Sequence, residues 1–262
     1  MKTSDCSGKP SRRRSARSPF PVVRRTIMLP VAVFRFSRSE GPGRFGDWLS
    51  ACGRPYRLVA LDLGEPVPAD PTAYAGIGMM GGPMGANDET PWRDPLAVLL
   101  RRAVDARVPV IGHCLGGQIL SRALGGAVTK APVTEIGWID VDAADRDAAR
   151  EWFGGRERMT VFEWHHDAFT IPPGATRVLG NAFNENQGYV LDDRHVGFQC
   201  HVEMTRELVT SWCDMSPDEL PATSTPARQS RADILGGLDA RVASLNALAD
   251  GIYARWARAL AH

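Results

Sequence analysis

A layered α/β fold is predicted by three features of the sequence. Short apolar runs alternate with amphipathic stretches, a buried-type strand at 108–112 runs straight into a glycine-rich turn and a helix, and 262 residues at 44% hydrophobic content suffice for a full core. Candidate strands lie at 29–36, 56–61, 76–80 and 108–112, and later at 135–141, 160–164, 176–179, 188–191 and 196–200. The helix expected over 91–106 has Pro91 near its start and Leu96, Val98, Leu99, Leu100 and Val104 on one broad face. Helices are also expected over 44–52 and 115–124, the second stopped by Gly125 and Gly126. Strand-helix-strand order requires crossovers and so parallel pairing. The crowding of strands between 135 and 200 predicts that some leave this pattern.

Beyond residue 213 the character changes. Residues 216–230 are rich in Pro, Ser and Thr and read as a linker, assigned to 214–230. Ile234, Leu238, Val242, Leu245, Ile252, Trp256 and Leu260 then recur at helical spacing, predicting one long amphipathic helix over 231–262. Its apolar stripe is expected to pack on the main domain, with a homodimer seam as the alternative. Gly236, Gly237 and Gly251 argue against a free-standing coiled coil.

The net charge of +1 conceals an uneven distribution: residues 1–27 carry +7 and the remaining 235 carry −6. The segment 11–18, SRRRSARS, has no apolar periodicity and is expected to be disordered. It has the Arg and Ser content of a transit peptide, and Arg24-Arg25 resembles a twin-arginine signal. Against export, the apolar run 27–34 is short and is followed by Arg35, so it reads as the first core strand, with Met28 as a candidate start. The acidic body argues against nucleic acid as a partner. No uncharged apolar run approaches the roughly 18–20 residues of a spanning helix, which argues against a membrane protein. Five cysteines, Cys6, Cys52, Cys114, Cys200 and Cys213, have no paired spacing, so a reducing cytoplasm is expected.

Chemistry concentrates in three segments. In Gly112-His113-Cys114-Leu115-Gly116 the glycines two before and two after a cysteine fit a nucleophile elbow. Cys114 would stand at the positive end of a helix, which favours thiolate, and the Leu115 N–H would face a developing oxyanion. A buried cysteine in a tight turn is the alternative, and this segment alone does not decide. His201 and Glu203 do, because two residues apart in an extended chain they project to one side. Glu203 can then orient His201, and His201 can take a proton from Cys114. The third segment, 79–85, ends a strand with Gly81-Gly82, and Gly82 is the candidate second oxyanion donor, with an ordinary tight turn as the alternative. Zinc ligation by His113, Cys114, His165, His166, His201 and Glu203 suits the residue types, but no H-x-x-x-H spacing exists and a metal does not explain the glycines. No metal and no cofactor are expected.

These segments resemble the class I (triad) glutamine amidotransferases, in the stand-alone GMP-synthase-like group. The elbow G-x-C-x-G-x-Q matches Gly112, Cys114, Gly116 and Gln118, and the oxyanion loop G-G-P matches Gly81, Gly82 and Pro83. The family's Q-F-H-P-E stands here as Gln199-Cys200-His201-Val202-Glu203, with Cys200 and Val202 in place of the usual Phe and Pro. The resemblance spans roughly 29–213 and places the domain at 28–213. It implies a flavodoxin-like three-layer sandwich with a mostly parallel central sheet. It also implies that Cys114 is the nucleophile, His201 the base and Glu203 its orienter, and that Gln118 helps bind glutamine. Residues 184–192 resemble, more loosely, the segment gripping the substrate's α-groups, placing Gln187, Gly188 and Tyr189 nearby. Residues 163–167 resemble the family's S-H-G-D stretch, and His165 and His166 are expected to be structural.

The implied reaction is Cys114 attack on a glutamine side-chain amide or a γ-glutamyl amide, with a thioester intermediate. The 49 residues after Cys213 are too few for a synthase domain, and no P-loop is present. A separate synthetase subunit receiving the ammonia, a free-standing γ-glutamyl hydrolase, and a non-catalytic binding protein on the same fold are the alternatives.

Overall fold

The computed structural model describes residues 28–261. The basic segment 1–27 and its expected disorder lie outside the described residues. Nine strands form one sheet: β1 (Val31–Arg35), β2 (Tyr56–Ala60), β3 (Gly76–Met79), β4 (Val110–His113), β5 (Val128–Ala143), β6 (Arg158–Phe169), β7 (Thr176–Gly180), β8 (Gly188–Leu191) and β9 (His195–Phe198). Their order is β2-β1-β3-β4-β9-β8-β7-β5-β6. The first five run parallel. From β9 outward the pairing is antiparallel. Where the sequence crowds strands, hairpins replace crossovers.

The parallel strands are nearly continuous apolar runs because helices cover both faces. Alternate residues of β1 enter opposite cores, Val31 and Val33 on one side and Ala32 and Phe34 on the other. The first core receives Phe45 and Leu49 of α1 (Gly43–Ala51), and the second receives Leu96, Leu99 and Leu100 of α2 (Arg93–Asp105) with Ile119 and Leu120 of α3 (Leu115–Ala123). The result is the expected three-layer α/β sandwich, with the parallel half of the sheet at its centre.

Two helices were not anticipated, α4 (Arg146–Trp152) and α5 (Arg206–Met215). Each begins at a side-chain cap: Asp145 accepts from Ala148 N, and Thr205 accepts from Leu208 N. The expected domain limit at 213 therefore falls inside α5. Residues 214–230 are not a free linker either. Ile136 N donates to Ala227 O and Gln229 N to Ile136 O, both at 2.9 Å, while the Gln229 side chain exchanges two hydrogen bonds with the Trp138 backbone. This strap adds to the bulged strand β5, and Gly137 at φ 111° leaves room for Gln229.

The single C-terminal helix is divided by Gly236-Gly237 into α6 (Arg231–Leu235) and α7 (Leu238–Ala257), with Gly237 at φ 65°. All seven stripe residues from Ile234 to Leu260 are buried in the first core. The stripe considered as a homodimer seam is thus occupied by the chain's own domain. Under β3, a Cβ on Gly76 would stand 2.5 Å from Leu260 and 3.0 Å from Trp256, so this segment belongs to the fold. Among the described residues no helix is long and apolar enough to cross a membrane.

Candidate active site

Between β4 and α3 the chain turns at Cys114 with φ 48° and ψ −110°, a conformation L-residues rarely adopt. Glycines permit the turn. A Cβ on Gly112 would lie 2.5 Å from Gly116 backbone atoms, one on Gly116 would lie 2.7 Å from Met79 O, and one on Gly117 would lie 2.4 Å from Phe198 O. Cys114 N donates to Phe198 O (2.8 Å) and Gly116 N to Met80 O (3.1 Å), tying the turn to β9 and β3. Behind it, His113 Nδ1 meets Met79 O at 3.1 Å, and Tyr253 of α7 meets Nε2 at 3.3 Å. Burial lowers the His113 pKa, so a neutral ring donates through Nδ1 and accepts from Tyr253.

The loop after β9 delivers the partners. His201 N donates to Phe162 O at 2.8 Å, which bridges this loop to β6. His201 Nδ1 donates to Glu203 Oε1 at 2.7 Å, with both side chains buried. Nε2 has no partner among the described residues and lies in the cavity wall with Cys114. Burial opposes a charge on His201, but the Cys114 sulfur and the Glu203 carboxylate outweigh it and raise the imidazole well above its usual 6.5. Burial likewise raises Glu203, yet the charge of His201 and the hydrogen bond it donates prevail and the Glu203 pKa is lowered. Trp212 packs edge-on against His201, with centroids 4.8 Å apart.

The cavity measures about 470 Å³. Gly82 and Leu115 border it, and neither N–H has a hydrogen-bond partner among the described residues. Gly82 lies so close to Leu115, Met84 and Phe36 that a Cβ would stand 2.6–3.0 Å from them. Gln118 also lines the cavity, with Nε2 donating to Asp167 O (3.0 Å) and Gln199 Oε1 (3.2 Å). Gln199 Nε2 in turn lies 3.7 Å from Cys114 Sγ. Such an arrangement can activate a thiol, stabilise an oxyanion and return a proton.

Gln187, Gly188 and Tyr189 are not on the cavity wall. Their segment enters β8, inside the sheet, where Tyr189 donates from its hydroxyl to Gly117 O (2.9 Å) and Gln187 Nε2 donates to Glu135 Oε2 (2.8 Å). Gly188 is covered by Leu179 and Phe198, each 3.1 Å from a would-be Cβ. Trp164, His165, His166 and Asp167 on β6 line the cavity instead. His165 is fixed between Glu135 Oε2 (3.1 Å) and Asp167 O (3.0 Å), while His166 reaches Glu219 of the strap at 2.7 Å. Glu219 also accepts from Trp164 Nε1. Sequence reasoning missed Glu40, Trp212 and Glu219, and it assigned no role to Trp164 or Gln199, which stand inside the matched motifs. For Glu40 a signal existed: Glu40-Gly-Pro-Gly follows the first parallel strand, at the sheet edge where ligands of open α/β sheets bind. Among the described residues no three His, Cys, Asp or Glu side chains converge as metal ligands.

The family model "Glutamine amidotransferase class-I" matches residues 51–209. A crystal structure of a glutamine amidotransferase from Methylobacillus flagellatus superposes with TM-score 0.87 at 47% identity, covering 90% of this chain and 96% of that one. The glutamine amidotransferase-like protein YfeJ of Salmonella typhimurium is 31% identical over 189 residues, which is 69% of this chain and 78% of YfeJ. A glutamine-hydrolyzing GMP synthase subunit of Sulfurisphaera tokodaii is 37% identical over 98 residues, or 37% of this chain; the match spans about half of that protein (51%). The chain belongs to the class I glutamine amidotransferase family.

Proposed function

We propose that this chain hydrolyses the side-chain amide of glutamine, with Cys114 as nucleophile, His201 as acid and base, and Glu203 as its orienter. The observation that carries the reading is the convergence of Cys114 and the unpartnered His201 Nε2 on one cavity that two free N–H groups also border. The raised His201 pKa favours an imidazolium beside a Cys114 thiolate. The thiolate attacks the amide carbon, and the oxyanion accepts hydrogen bonds from Leu115 N and Gly82 N. His201 Nε2 protonates the nitrogen, the C–N bond breaks with its electron pair going to ammonia, and a γ-glutamyl thioester remains on Cys114. Neutral His201 then takes a proton from water, hydroxide adds to the thioester, and glutamate leaves as the thiolate returns. No step needs a cofactor or metal.

The match to a protein named as a GMP synthase subunit supports transfer of the ammonia to a separate synthetase chain. The second reading, hydrolysis of a larger γ-glutamyl amide, is favoured by the cavity, whose 470 Å³ exceeds the needs of a glutamine side chain. Release of ammonia and glutamate from a panel of amides separates the readings. Turnover of glutamine that is lost in Cys114→Ala supports the first, and turnover of γ-glutamyl dipeptides or polyamine conjugates without glutamine supports the second. Silence on all amides, with candidate synthetases present, would leave a non-catalytic binding protein.

A further inference from the structure

The loop between β1 and α1 brings to the cavity a carboxyl that the reaction above does not use. Glu40 N donates to Ser37 O at 3.1 Å, and the neighbouring Ser39 carbonyl accepts from Trp212 Nε1 at 3.0 Å. Beyond it, Gly41-Pro42-Gly43 turns against the Glu203 backbone. A Cβ on Gly43 would stand 2.3 Å from Glu203 O, and Arg44 N donates to that same oxygen at 2.8 Å. Glu40 is therefore anchored on one side to Trp212 and on the other to Glu203, the two residues that hold His201. Its Oε2 lies 2.3 Å from where a Cβ on Gly81 would stand, and His201 Cε1 lies 2.9 Å from the same point. The carboxyl fills the niche between the imidazole edge and the loop that carries Gly82. It has no hydrogen-bond or ion-pair partner among the described residues, and burial raises it to about 7, with His201 opposing.

That niche has a chemical meaning if Cys114 and His201 act as proposed, and the inference rests on that reading. With the substrate oxygen on Leu115 N and Gly82 N, and its carbon on the Cys114 sulfur, the scissile nitrogen must face His201 Nε2. An amide nitrogen then still presents an N–H, and a carboxyl beside the imidazole is placed to accept it. We propose that Glu40 reads the scissile nitrogen: its carboxylate accepts a hydrogen bond from the amide N–H, turns the developing lone pair toward His201 Nε2, and so selects amides over esters. No proton passes to Glu40. The ammonia proton still comes from His201.

The test compares glutamine with glutamate γ-methyl ester, whose leaving oxygen has no hydrogen to offer. In Glu40→Gln the ratio of kcat/KM for glutamine to that for the ester falls about 10- to 100-fold, the range of a hydrogen bond to a charged group. Iodoacetamide alkylation of Cys114 stays at the wild-type rate, reporting an intact thiol environment. The acceptor must be ionised, so wild-type glutamine turnover also carries an acid limb near pH 7 that ester turnover lacks. Titratable or charged groups around the cavity are His201 and Glu203 after β9, Asp88 after β3, Cys114 at the elbow, Lys130 on β5, His165, His166 and Asp167 on β6, and Glu219 of the strap; of these, His201 and Glu203 act on Glu40. An unchanged ratio, or equal loss on both substrates together with slowed alkylation, would overturn the inference and make Glu40 a support of His201. Failure of the function reading looks different: the wild type itself then releases neither ammonia nor methanol.

Discussion

Cys114 holds φ 48° in a turn with no free volume, and the cost of that backbone is carried by Gly112, Gly116 and Gly117. Gly116→Ala would drive a methyl group against the Met79 backbone and is expected to cost about 1–3 kcal/mol, read as a lower urea midpoint with unchanged slope. At the proposed triad, Glu203→Gln keeps the shape of the His201 contact but removes its charge. Glutamine turnover should fall about 10²- to 10⁴-fold with the fold intact. The pH profile has a definite sign. In the proposed mechanism His201 acts protonated, and its pKa is raised, so activity is expected to persist above pH 6.5 and to be lost as pH rises through the elevated value. Glu203→Gln removes one of the charges holding it up, so that alkaline limb must move to lower pH. Cys200, one residue before the histidine, is no rival nucleophile, because burial pushes its thiol well above the ordinary range.

Strand β5, the strap over 216–230 and β6 together form the cavity wall opposite the elbow. Gln229→Ala removes two hydrogen bonds to the Trp138 backbone and is expected to cost about 1–3 kcal/mol, with faster amide exchange over 216–230. The strap carries Glu219 against Trp164 and His166, so KM for glutamine should rise more than kcat falls. Legibility differs between elements for physical reasons. The parallel strands are readable because burial on both faces makes them unbroken apolar runs, as in Val31 to Phe34. The elbow is readable because a strained turn admits only glycine at fixed offsets. The strap is not: its Pro, Ser and Thr content is that of a solvated linker, and its hydrogen bonds are to a backbone about 90 residues away. Gln187 to Tyr189 are placed near the substrate only by the loose resemblance of residues 184–192, and resemblance does not show that their position between β7 and β9 buries them. Helices α4 and α5 announced themselves only through the caps Asp145 and Thr205, which are weak alone.

Across the whole molecule, the C-terminal helices are a structural member of the half that carries Cys114. Tyr253 touches His113, the residue before Cys114, and Trp256 packs on Phe45 and beneath Gly76. Arg44 and Asp250 join α1 to α7 through two hydrogen bonds, at 2.8 and 2.5 Å. A chain ending at residue 215 should therefore not fold, and Trp256→Ala should cost about 3–5 kcal/mol in a denaturant titration. The sequence showed the apolar stripe but not its target, because spacing alone does not distinguish a face packed on its own domain from a dimer seam. If the elbow makes Cys114 a nucleophile toward a γ-glutamyl amide, as proposed, a covalent glutamyl enzyme must form during turnover. The most direct measurement is mass spectrometry of the protein acid-quenched during glutamine turnover. A glutamyl adduct is expected on the peptide containing Cys114 and is expected to be absent from Cys114→Ala. Turnover that proceeds in Cys114→Ala, or an adduct on any other residue, would contradict it.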